Sequence, residues 1–155
     1  MEKYPEKAFK WIVDIFNKNK IVFQIDGGLA ARAYGAGREL VDIDLIISEK
    51  DFHKILGDVK EYVKYGPDRY TDEKWDLMLM TLFYENQVID IAGAENTKYF
   101  DSKNNIWVHA ENVLNKSVVH NIFGIRAPVI PIDSLIKEKK ILNREVDVID
   151  LSYIN

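Results

Sequence analysis

Residues 21–47 show the clearest alternation of apolar and polar positions in the chain. Ile21–Ile25 is a short, β-branched apolar run, which predicts a strand. Asp26-Gly27-Gly28 interrupts the run, and the composition of Leu29–Tyr34 then favours a helical turn. In Val41–Ile47 apolar residues alternate with acidic ones, as in a strand with one buried face. The segment thus predicts a strand, a glycine turn, a helix and a second strand.

Apolar residues at helical spacing predict helices on both sides of this segment. Lys7–Asn17 carries them on one face, which predicts an amphipathic helix that packs against the sheet. Ser48 is a good N-cap for the helix that follows it, with Asp51 at the N3 position of a capping box. Residues 135–143 and 144–154 predict two more helices near the C-terminal end.

The middle of the chain predicts a long loop followed by a hairpin. Tyr65–Trp75 combines Gly-Pro, dense charge and aromatic residues, so we predict a loop there, and loops of this length tend to be functional or mobile. Leu77–Tyr84 and Gln87–Ala92 have strand composition and flank a turn at Glu85-Asn86. This arrangement predicts an antiparallel hairpin.

The region after this hairpin is less regular. Asn104-Asn105 predicts a turn, residues 106–110 a short strand and residues 111–115 one helical turn. Residues 118–127 fit one strand, or two strands broken at Gly124, and the pattern leaves both possibilities open.

Length and composition indicate one globular domain. A chain of 155 residues, 47% hydrophobic and 30% charged, is large enough to bury a real core. No internal repeat or low-complexity tract divides it. We therefore predict a single domain over residues 1–155, of the α/β (α+β) class, with a mixed β-sheet flanked by helices.

Charge, cysteine content and hydropathy exclude several function classes. The net charge of −4 argues against a large basic surface, so a long nucleic acid is not expected as a partner. The absence of cysteine excludes disulfides, thiolate metal sites and a cysteine nucleophile. The first residues lack the apolar stretch of a signal peptide, and no apolar run reaches the roughly 20 residues of a membrane span. We therefore expect a cytoplasmic protein with no membrane partner.

Asp42 and Asp44 are unusual because strands disfavour aspartate. The strand period places both on one face, with Cβ atoms roughly 7 Å apart. A solvated sheet face would explain them, and so would a metal site, because a divalent cation removes the repulsion between two carboxylates. Oxygen ligands without cysteine favour Mg²⁺ or Mn²⁺ over zinc. Asp90 would join the site if its strand lies beside residues 41–47.

Gly27 and Gly28 also allow two interpretations. Backbone amides at a glycine turn can approach a phosphate closely, and the start of the following helix adds the positive end of its dipole. For an isolated Gly-Gly pair, a tight turn that needs a positive φ is the better explanation. The pair matches neither the Walker A loop nor the Gly-x-Gly-x-x-Gly fingerprint. The glycines therefore indicate a phosphate-binding site only together with the aspartates.

The order of these features resembles a known superfamily. Gly-Gly, a helix, Asp-x-Asp and a later strand aspartate resemble the DNA polymerase beta-like nucleotidyltransferases. More narrowly, IDGGLAARAYGAGRELVDIDL is similar to the small nucleotidyltransferases that act on lincosamides and aminoglycosides, with Arg38 matching an arginine four residues before the Asp-x-Asp. The tail LIKEKKILNREVDVIDL resembles that of many relatives, in which a lysine precedes Arg-x-x-Asp-x-x-Asp-Leu. The matching residues are Lys139, Arg144, Asp147 and Asp150.

The resemblance implies roles for the glycines and the aspartates. Gly27 and Gly28 would hold the triphosphate of the nucleotide. Asp42 and Asp44 would bind the metal ions. Asp90 would be the third acid, which ligates a metal or takes the proton of the acceptor hydroxyl.

The basic residues are the candidates for binding the polyphosphate, and they comprise Arg38, Lys139, Arg144 and Lys74. A different interpretation is open for them, in which Lys139 lies on a solvated helix face and Arg144 pairs with Asp147 or Asp150. We expect these two aspartates to orient Arg144 rather than to bind metal.

By this resemblance the chain is a metal-dependent nucleotidyltransferase. It would transfer an NMP group from an NTP, with ATP expected, to the hydroxyl of an unidentified acceptor, using Mg²⁺ or Mn²⁺. A homodimer could complete the cleft of so short a chain. Arg32 and Leu40 stand where the antibiotic enzymes have aspartate and histidine, so the resemblance implies the phosphate chemistry more than an antibiotic substrate.

Two alternatives to an enzyme remain. One is an idle nucleotide- or partner-binding module of this fold, for example in a toxin–antitoxin or defence pair. The other is an interaction domain without a ligand, which would follow if Asp90 lay remote from Asp42 and Asp44.

Overall fold

The computed structural model describes residues 3–154, which contain nine strands and five α-helices. The strands are β1 Phe23–Asp26, β2 Asp42–Ile47, β3 Val63–Thr71, β4 Trp75–Tyr84, β5 Gln87–Gly93, β6 Lys98–Asp101, β7 Ile106–His109, β8 Val118–Ile122 and β9 Ile125–Val129. The helices are α1 Pro5–Lys18, α2 Gly27–Ala33, α3 Phe52–Val59, α4 Ile132–Leu142 and α5 Glu145–Ile154. None of these described helices is both long and apolar enough to cross a membrane.

All strands described within residues 3–154 belong to one mixed sheet. Its order is β7-β6-β4-β5-β2-β1-β9-β8, and β3 pairs with β4. The pairs β2–β5 and β1–β9 are parallel, and the other pairs are antiparallel. The predicted mixed sheet flanked by helices is confirmed.

The alternation within β2 separates the two faces of the sheet. Ile43, Leu45 and Ile47 are buried, whereas Asp42 and Asp44 are half-buried. Burying an aliphatic side chain of this size contributes about 1.5–3 kcal/mol, so the apolar set fixes which face points to the core. The core on that side also contains apolar side chains of α1 and α3, namely Phe9, Ile12, Phe16, Phe52 and Ile55.

Most predicted elements form close to their predicted bounds. α1 covers Lys7–Asn17 and starts at Pro5, a position at which the missing N–H of proline costs nothing. α4 and α5 form where residues 135–143 and 144–154 predict them. The hairpin of β4 and β5 is also confirmed, with both residues of Glu85-Asn86 at positive φ, as a two-residue turn between twisted strands requires.

The predicted loop at Tyr65–Trp75 is wrong. Most of it forms β3, which pairs with β4, and its last residue already belongs to β4. Gly66-Pro67 is accommodated because the register shifts between Tyr65 and Asp68. An edge strand tolerates a proline whose missing N–H would face away from the ladder. The connection that remains between the two strands covers only residues 72–74.

The predicted capping box at Ser48 is also wrong. Among the described residues the Ser48 side chain makes no cap hydrogen bond, and a single 3₁₀ turn precedes α3. Glu95 caps this end instead, because its carboxylate accepts hydrogen bonds from the Ser48 hydroxyl at 2.7 Å and from the Glu49 N–H at 2.8 Å. Asp51 pairs with Lys54. An acid distant in sequence therefore replaces the local cap.

The less regular region resolves into two hairpins and a turn. The turn at Asn104-Asn105 and the strand after it are confirmed in the hairpin of β6 and β7. The helical turn predicted over residues 111–115 is a 3₁₀ turn at Leu114–Lys116. Of the two interpretations of residues 118–127, the structure has two strands, β8 and β9. Phe123-Gly124 lies between them, with both residues at positive φ.

Candidate active site

A row of carboxylates crosses three neighbouring strands on the face of the sheet opposite the apolar core. Asp44 of β2 is the register partner of Asp90 in the parallel strand β5 and of Asp26 in the antiparallel strand β1. Register partners point to the same face, and Asp42 shares that face two residues earlier on β2. The predicted adjacency of the Asp90 strand to residues 41–47 is confirmed. We call Asp26, Asp42, Asp44 and Asp90 the acid row.

The acid row concentrates negative charge where solvation is poor. Burial, followed by the charges of Asp90, Asp26 and Asp42, raises the pKa of Asp44 to about 8. Burial also raises the pKa of Asp42 and that of Asp90, although a 2.6 Å hydrogen bond donated by Thr81 partly offsets the effect at Asp90. A bound cation favours the ionised form of each carboxylate. The acid row is therefore suited to binding a cation with release of protons.

Asp26 and Glu138 belong to this site and were missed by the sequence analysis. Asp26 is 9% exposed, and its Oδ1 atom has no hydrogen-bond partner among the described residues. Glu138 approaches it from α4. Burial, the charge of Asp26 and a hydrogen bond to Asp26 raise the pKa of Glu138 well above its usual value. The helical spacing of the buried Leu135 and Leu142 could have identified Glu138, since it places residue 138 on the inward side of α4.

Gly27 forms the turn beside the acid row. α2 begins directly at Gly27, not at Leu29 as predicted, and Gly27 has a φ of +59°. A Cβ atom at this position would lie 2.2 Å from Oδ2 of Asp44. The positive φ and the close carboxylate therefore both require glycine. At Gly28, a Cβ atom would lie 2.9 Å from Nη2 of Arg38.

Gly27→Ala is expected to lower the free energy of unfolding by about 2–4 kcal/mol, because the strained backbone and the clash with Asp44 add. Urea unfolding followed by circular dichroism measures the change. Gly57→Ala is the matched control. Gly57 is exposed in α3, and a Cβ atom there meets nothing within 4 Å. Alanine is favoured over glycine in a helix by roughly 0.5–1 kcal/mol, so equal destabilisation by both substitutions would contradict the role of Gly27.

A buried network of charges joins α4, α5 and the segment before β2. Lys139 is 2% exposed and contacts Asp147 at 3.2 Å and Asp150 at 2.9 Å. Arg144 donates to Asp147 from Nε at 2.8 Å and from Nη2 at 3.1 Å. Arg38 donates to Asp150 from Nε and Nη2, both at 2.9 Å. We call these five residues the ion network.

The ion network settles two of the open interpretations. The pairing of Arg144 with Asp147 is confirmed, whereas Asp150 pairs with Arg38 and Lys139 and does not orient Arg144 directly. The interpretation of Lys139 as part of a solvated helix face is wrong. Burial alone would raise the pKa values of Asp147 and Asp150. The hydrogen bonds and charges of the neighbouring cations outweigh it, so both pKa values are lowered.

A cavity of about 530 Å³ lies between the face that carries the acid row and α4. The acid row, Gly27 and Thr81 line one part of it, which we call the acid end. The part that follows β4 away from Thr81 is the aromatic end, and it is lined by Tyr65, Tyr70, Trp75, Leu77, Leu79 and Tyr99. Cavities of this volume are typical of sites for small ligands.

Arg144 lies where the two ends meet. It lines the cavity, and its charge acts on Asp44. Its guanidinium carbon lies 5.7 Å from the centre of the Trp75 ring, within the range of a cation–π contact. Lys74, the other predicted phosphate ligand from this region, donates a 3.2 Å hydrogen bond to the carbonyl of Leu142. Lys74 thus attaches the β3–β4 turn to the end of α4.

No protein-family model and no curated protein sequence matches this chain. A proposed nucleotidyltransferase from Thermotoga maritima aligns over 97% of this chain and 93% of its own, with 19% identity and a TM-score of 0.71. The lincosamide antibiotic adenylyltransferase LnuA, solved with lincomycin, aligns over 97% and 96%, with 15% identity and a TM-score of 0.65. ANT(2″)-Ia, solved with adenylyl-2″-tobramycin, aligns over 95% of both chains, with 13% identity and a TM-score of 0.56. The chain has the nucleotidyltransferase fold.

These solved structures confirm the fold that the resemblance implied. Of the residues predicted to bind nucleotide, Gly27, Lys139 and Arg144 line the cavity, with Lys139 almost completely enclosed by its ion pairs. Within the described part of the chain, Gly28 and Arg38 are not among the residues that line it. Their roles, like those of the acids, stay predictions.

The donor set on this nucleotidyltransferase fold suits a hard divalent cation, since the donors are carboxylate oxygens. Within residues 3–154 no three acidic or histidine side chains are already arranged to hold one metal ion. Mg²⁺ usually needs only one or two carboxylates and is completed by water and substrate phosphates. The unpartnered Oδ1 of Asp26 and the raised pKa of Asp44 indicate unused acceptor capacity at this place.

Proposed function

We propose that this protein is a metal-dependent nucleotidyltransferase that moves an NMP group from an NTP, with ATP as the first choice, to a hydroxyl acceptor. The observation that carries the proposal is the alignment of Asp26, Asp44 and Asp90 on three adjacent strands directly beside Gly27. A cavity of ligand size opens onto this row. LnuA, which has the same fold, is an adenylyltransferase.

Asp42, Asp44 and Asp90 are the residues that would hold Mg²⁺ or Mn²⁺, which supplies charge neutralisation around the transferring phosphoryl group when bound. The acceptor oxygen forms a bond to the α-phosphorus while the bond to pyrophosphate breaks, and pyrophosphate leaves with the electron pair. Asp90, the third acid, would ligate the metal or take the acceptor proton, and the 2.6 Å hydrogen bond that Thr81 donates to its Oδ1 fixes the carboxylate.

Arg144 is the residue we assign to the polyphosphate. It is half-buried, lines the cavity and is fixed by two hydrogen bonds to Asp147. A planar guanidinium suits phosphate oxygens because it can donate two parallel hydrogen bonds. In this proposal Lys139 and Arg38 do not contact the nucleotide. Their ion pairs hold α5, and with it Arg144, against the cavity. The backbone at Gly27 lets the nucleotide approach closely.

Asp90→Asn is expected to weaken Mg²⁺-dependent ATP binding at least about tenfold, because it removes a charged ligand from the acid row. Titration calorimetry with ATP and Mg²⁺ measures the affinity. Asp14→Asn makes the same chemical change on the exposed side of α1 and should leave the affinity unchanged. An Asp90→Asn protein that binds ATP and Mg²⁺ as tightly as the wild type would remove the basis of the proposal.

Label transfer separates the enzyme from its alternatives. The wild-type protein is incubated with Mg²⁺ and α-labelled ATP in the presence of a panel of hydroxyl compounds, and we expect label on at least one of them. Binding of ATP without transfer to any acceptor would favour an idle binding module. An absence of ATP binding would favour an interaction domain without a nucleotide.

A further inference from the structure

The aromatic end of the cavity extends well beyond the acid row. Along β4, Leu79, Leu77 and Trp75 follow Thr81 at steps of two residues on the same face, which places their Cα atoms roughly 7, 13 and 20 Å along the strand from Thr81. Ala92 of β5 is the register partner of Leu79 and widens this apolar surface. The cavity thus offers a hydrocarbon surface that the phosphate chemistry does not use.

Aromatic rings border this surface. Tyr65 and Tyr70 pack edge to face with ring centres 5.8 Å apart, and Trp75 packs against Tyr99 in the same way at 5.9 Å. Pairs of this geometry hold each other in place. Tyr99 stays an uncharged phenol, because burial and the nearby acidic charges raise its pKa. The rings therefore form a fixed, uncharged border.

Three polar groups of this end, the hydroxyls of Tyr65 and Tyr70 and the carboxylate of Asp72, are engaged by the protein itself. The Tyr65 hydroxyl donates to the Arg69 carbonyl, and the Tyr70 hydroxyl donates to Asp72 at 2.9 Å. The Asp72 carboxylate also accepts the N–H groups of Lys74 and Trp75, both at 2.8 Å. A polar ligand would gain few new hydrogen bonds from these groups.

The charged side chains that line the cavity outside the acid row contact other protein groups or are exposed to water. Arg144 is paired with Asp147, Asp72 accepts the two N–H hydrogen bonds described above, and Glu138 shares a hydrogen bond with the acid Asp26. The remaining ones are Lys137, which is exposed, Lys139, which lies within the ion network, and Glu111, which lies 3.9 Å from Lys116. An apolar ring at the aromatic end gains about 25 cal/mol for each Å² of apolar surface that it buries.

We infer that the aromatic end binds the ring of a hydroxyl compound through apolar contacts, and that the acceptor of the proposed transferase belongs to this class. The ring lies over Leu79 and Ala92, two residues along their strands from Thr81 and Asp90, so a short linker brings the hydroxyl to the acid row. This inference rests on the proposed function only in that it makes the bound compound the acceptor. The binding of the ring itself can be measured without turnover.

The test uses 2-(2-naphthyl)ethanol as a neutral ring alcohol and glycerol as a hydroxyl compound without a ring. Ligand-observed NMR gives the affinity of the full-length protein for each in the presence of Mg²⁺. Leu79→Gln and Ala92→Leu are expected to weaken the binding of the ring alcohol at least about tenfold, the first by adding an amide to the apolar surface and the second by filling it. The affinity for ATP should stay within about twofold. Circular dichroism confirms that each protein is folded.

Val119→Gln is the matched control, since it makes the same kind of change at a residue 50% exposed on β8 and should leave ring binding unchanged. Two results would overturn the inference. One is a wild-type protein that binds the ring alcohol no better than glycerol. The other is a loss of ATP affinity in both cavity variants with unchanged ring binding, which would assign the aromatic end to the nucleobase. If the protein binds the ring alcohol but transfers no label, the inference about the ring ligand is supported and the proposed transferase function is contradicted.

Discussion

Asp44→Asn is expected to lower label transfer from ATP by about a hundredfold or more and, in the same protein, to raise the stability measured without metal at pH 8. The activity falls because the substitution removes the central carboxylate of the acid row, and a metal ligand contributes several kcal/mol to the transition state. The stability rises because asparagine has no charge to bury next to Asp26 and Asp90. A substitution that lowers the activity while it raises the stability indicates a residue with a catalytic rather than a structural role.

The pH dependence of this effect follows from the pKa of Asp44, which is about 8 in the folded protein. The folded protein holds the proton more tightly than the unfolded chain does. Its stability therefore falls as the pH rises from about 4 to 8, because the unfolded chain releases the proton first. Asp44→Asn should match the wild type near pH 4 and exceed it by on the order of 5 kcal/mol at pH 8.

Thermal unfolding of the two proteins in a chelator, at pH 5 and at pH 8, measures the difference. Asp14→Asn serves as control. Because Asp14 is exposed on α1, its substitution should change the thermal stability by the same small amount at both pH values. Addition of Mg²⁺ should stabilise the wild type more than Asp44→Asn, since an ion that binds only the folded state stabilises it by mass action. If Asp44→Asn is no more stable than the wild type at pH 8, the acid row does not carry the repulsion described here.

The local pattern of the chain predicts one half of the acid row. Alternation in Val41–Ile47 is enough to place Asp42 and Asp44 on one face, because strand geometry fixes the direction of successive side chains. The position of Asp90 depends on which strands pair, and pairing is decided by contacts between segments distant in sequence. The order of motifs, through the family resemblance, supplied that expectation.

Tertiary contacts decided what the pattern could not. Asp26 reads as part of a turn until β1 pairs with β2 and brings it opposite Asp44. Glu138 reads as one charge in a charged helix until α4 packs over the sheet. Ser48 resembles a cap until Glu95, from another segment, takes its place. In each case the sequence would allow the polar side chain to face water, and only the folded neighbourhood shows which protein group lies beside it.

The lysines of α4 show the same limit and carry the second large prediction. Lys139 and Lys140 are neighbours of the same type, yet Lys139 is 2% exposed and Lys140 lies on the exposed side of the helix. Lys139→Met keeps most of the side-chain volume and removes the charge that Asp147 and Asp150 share. Leaving part of a buried ion network without its partner is strongly destabilising. We expect the free energy of unfolding at pH 7 to fall by about 3 kcal/mol.

Lys140→Met is the matched control and should change the stability by less than about 0.5 kcal/mol, as surface substitutions usually do. The stabilisation that ionised Asp147 and Asp150 contribute is complete above about pH 4 and is lost at lower pH, as the pH falls through their lowered pKa values. The deficit of Lys139→Met should therefore shrink below pH 4, because protonated aspartates leave less charge uncompensated. Urea unfolding at pH 7 and at pH 3 gives both values. Equal destabilisation by the two methionine variants, or a deficit that does not depend on pH, would show that Lys139 acts through packing rather than as the central cation between α4 and α5.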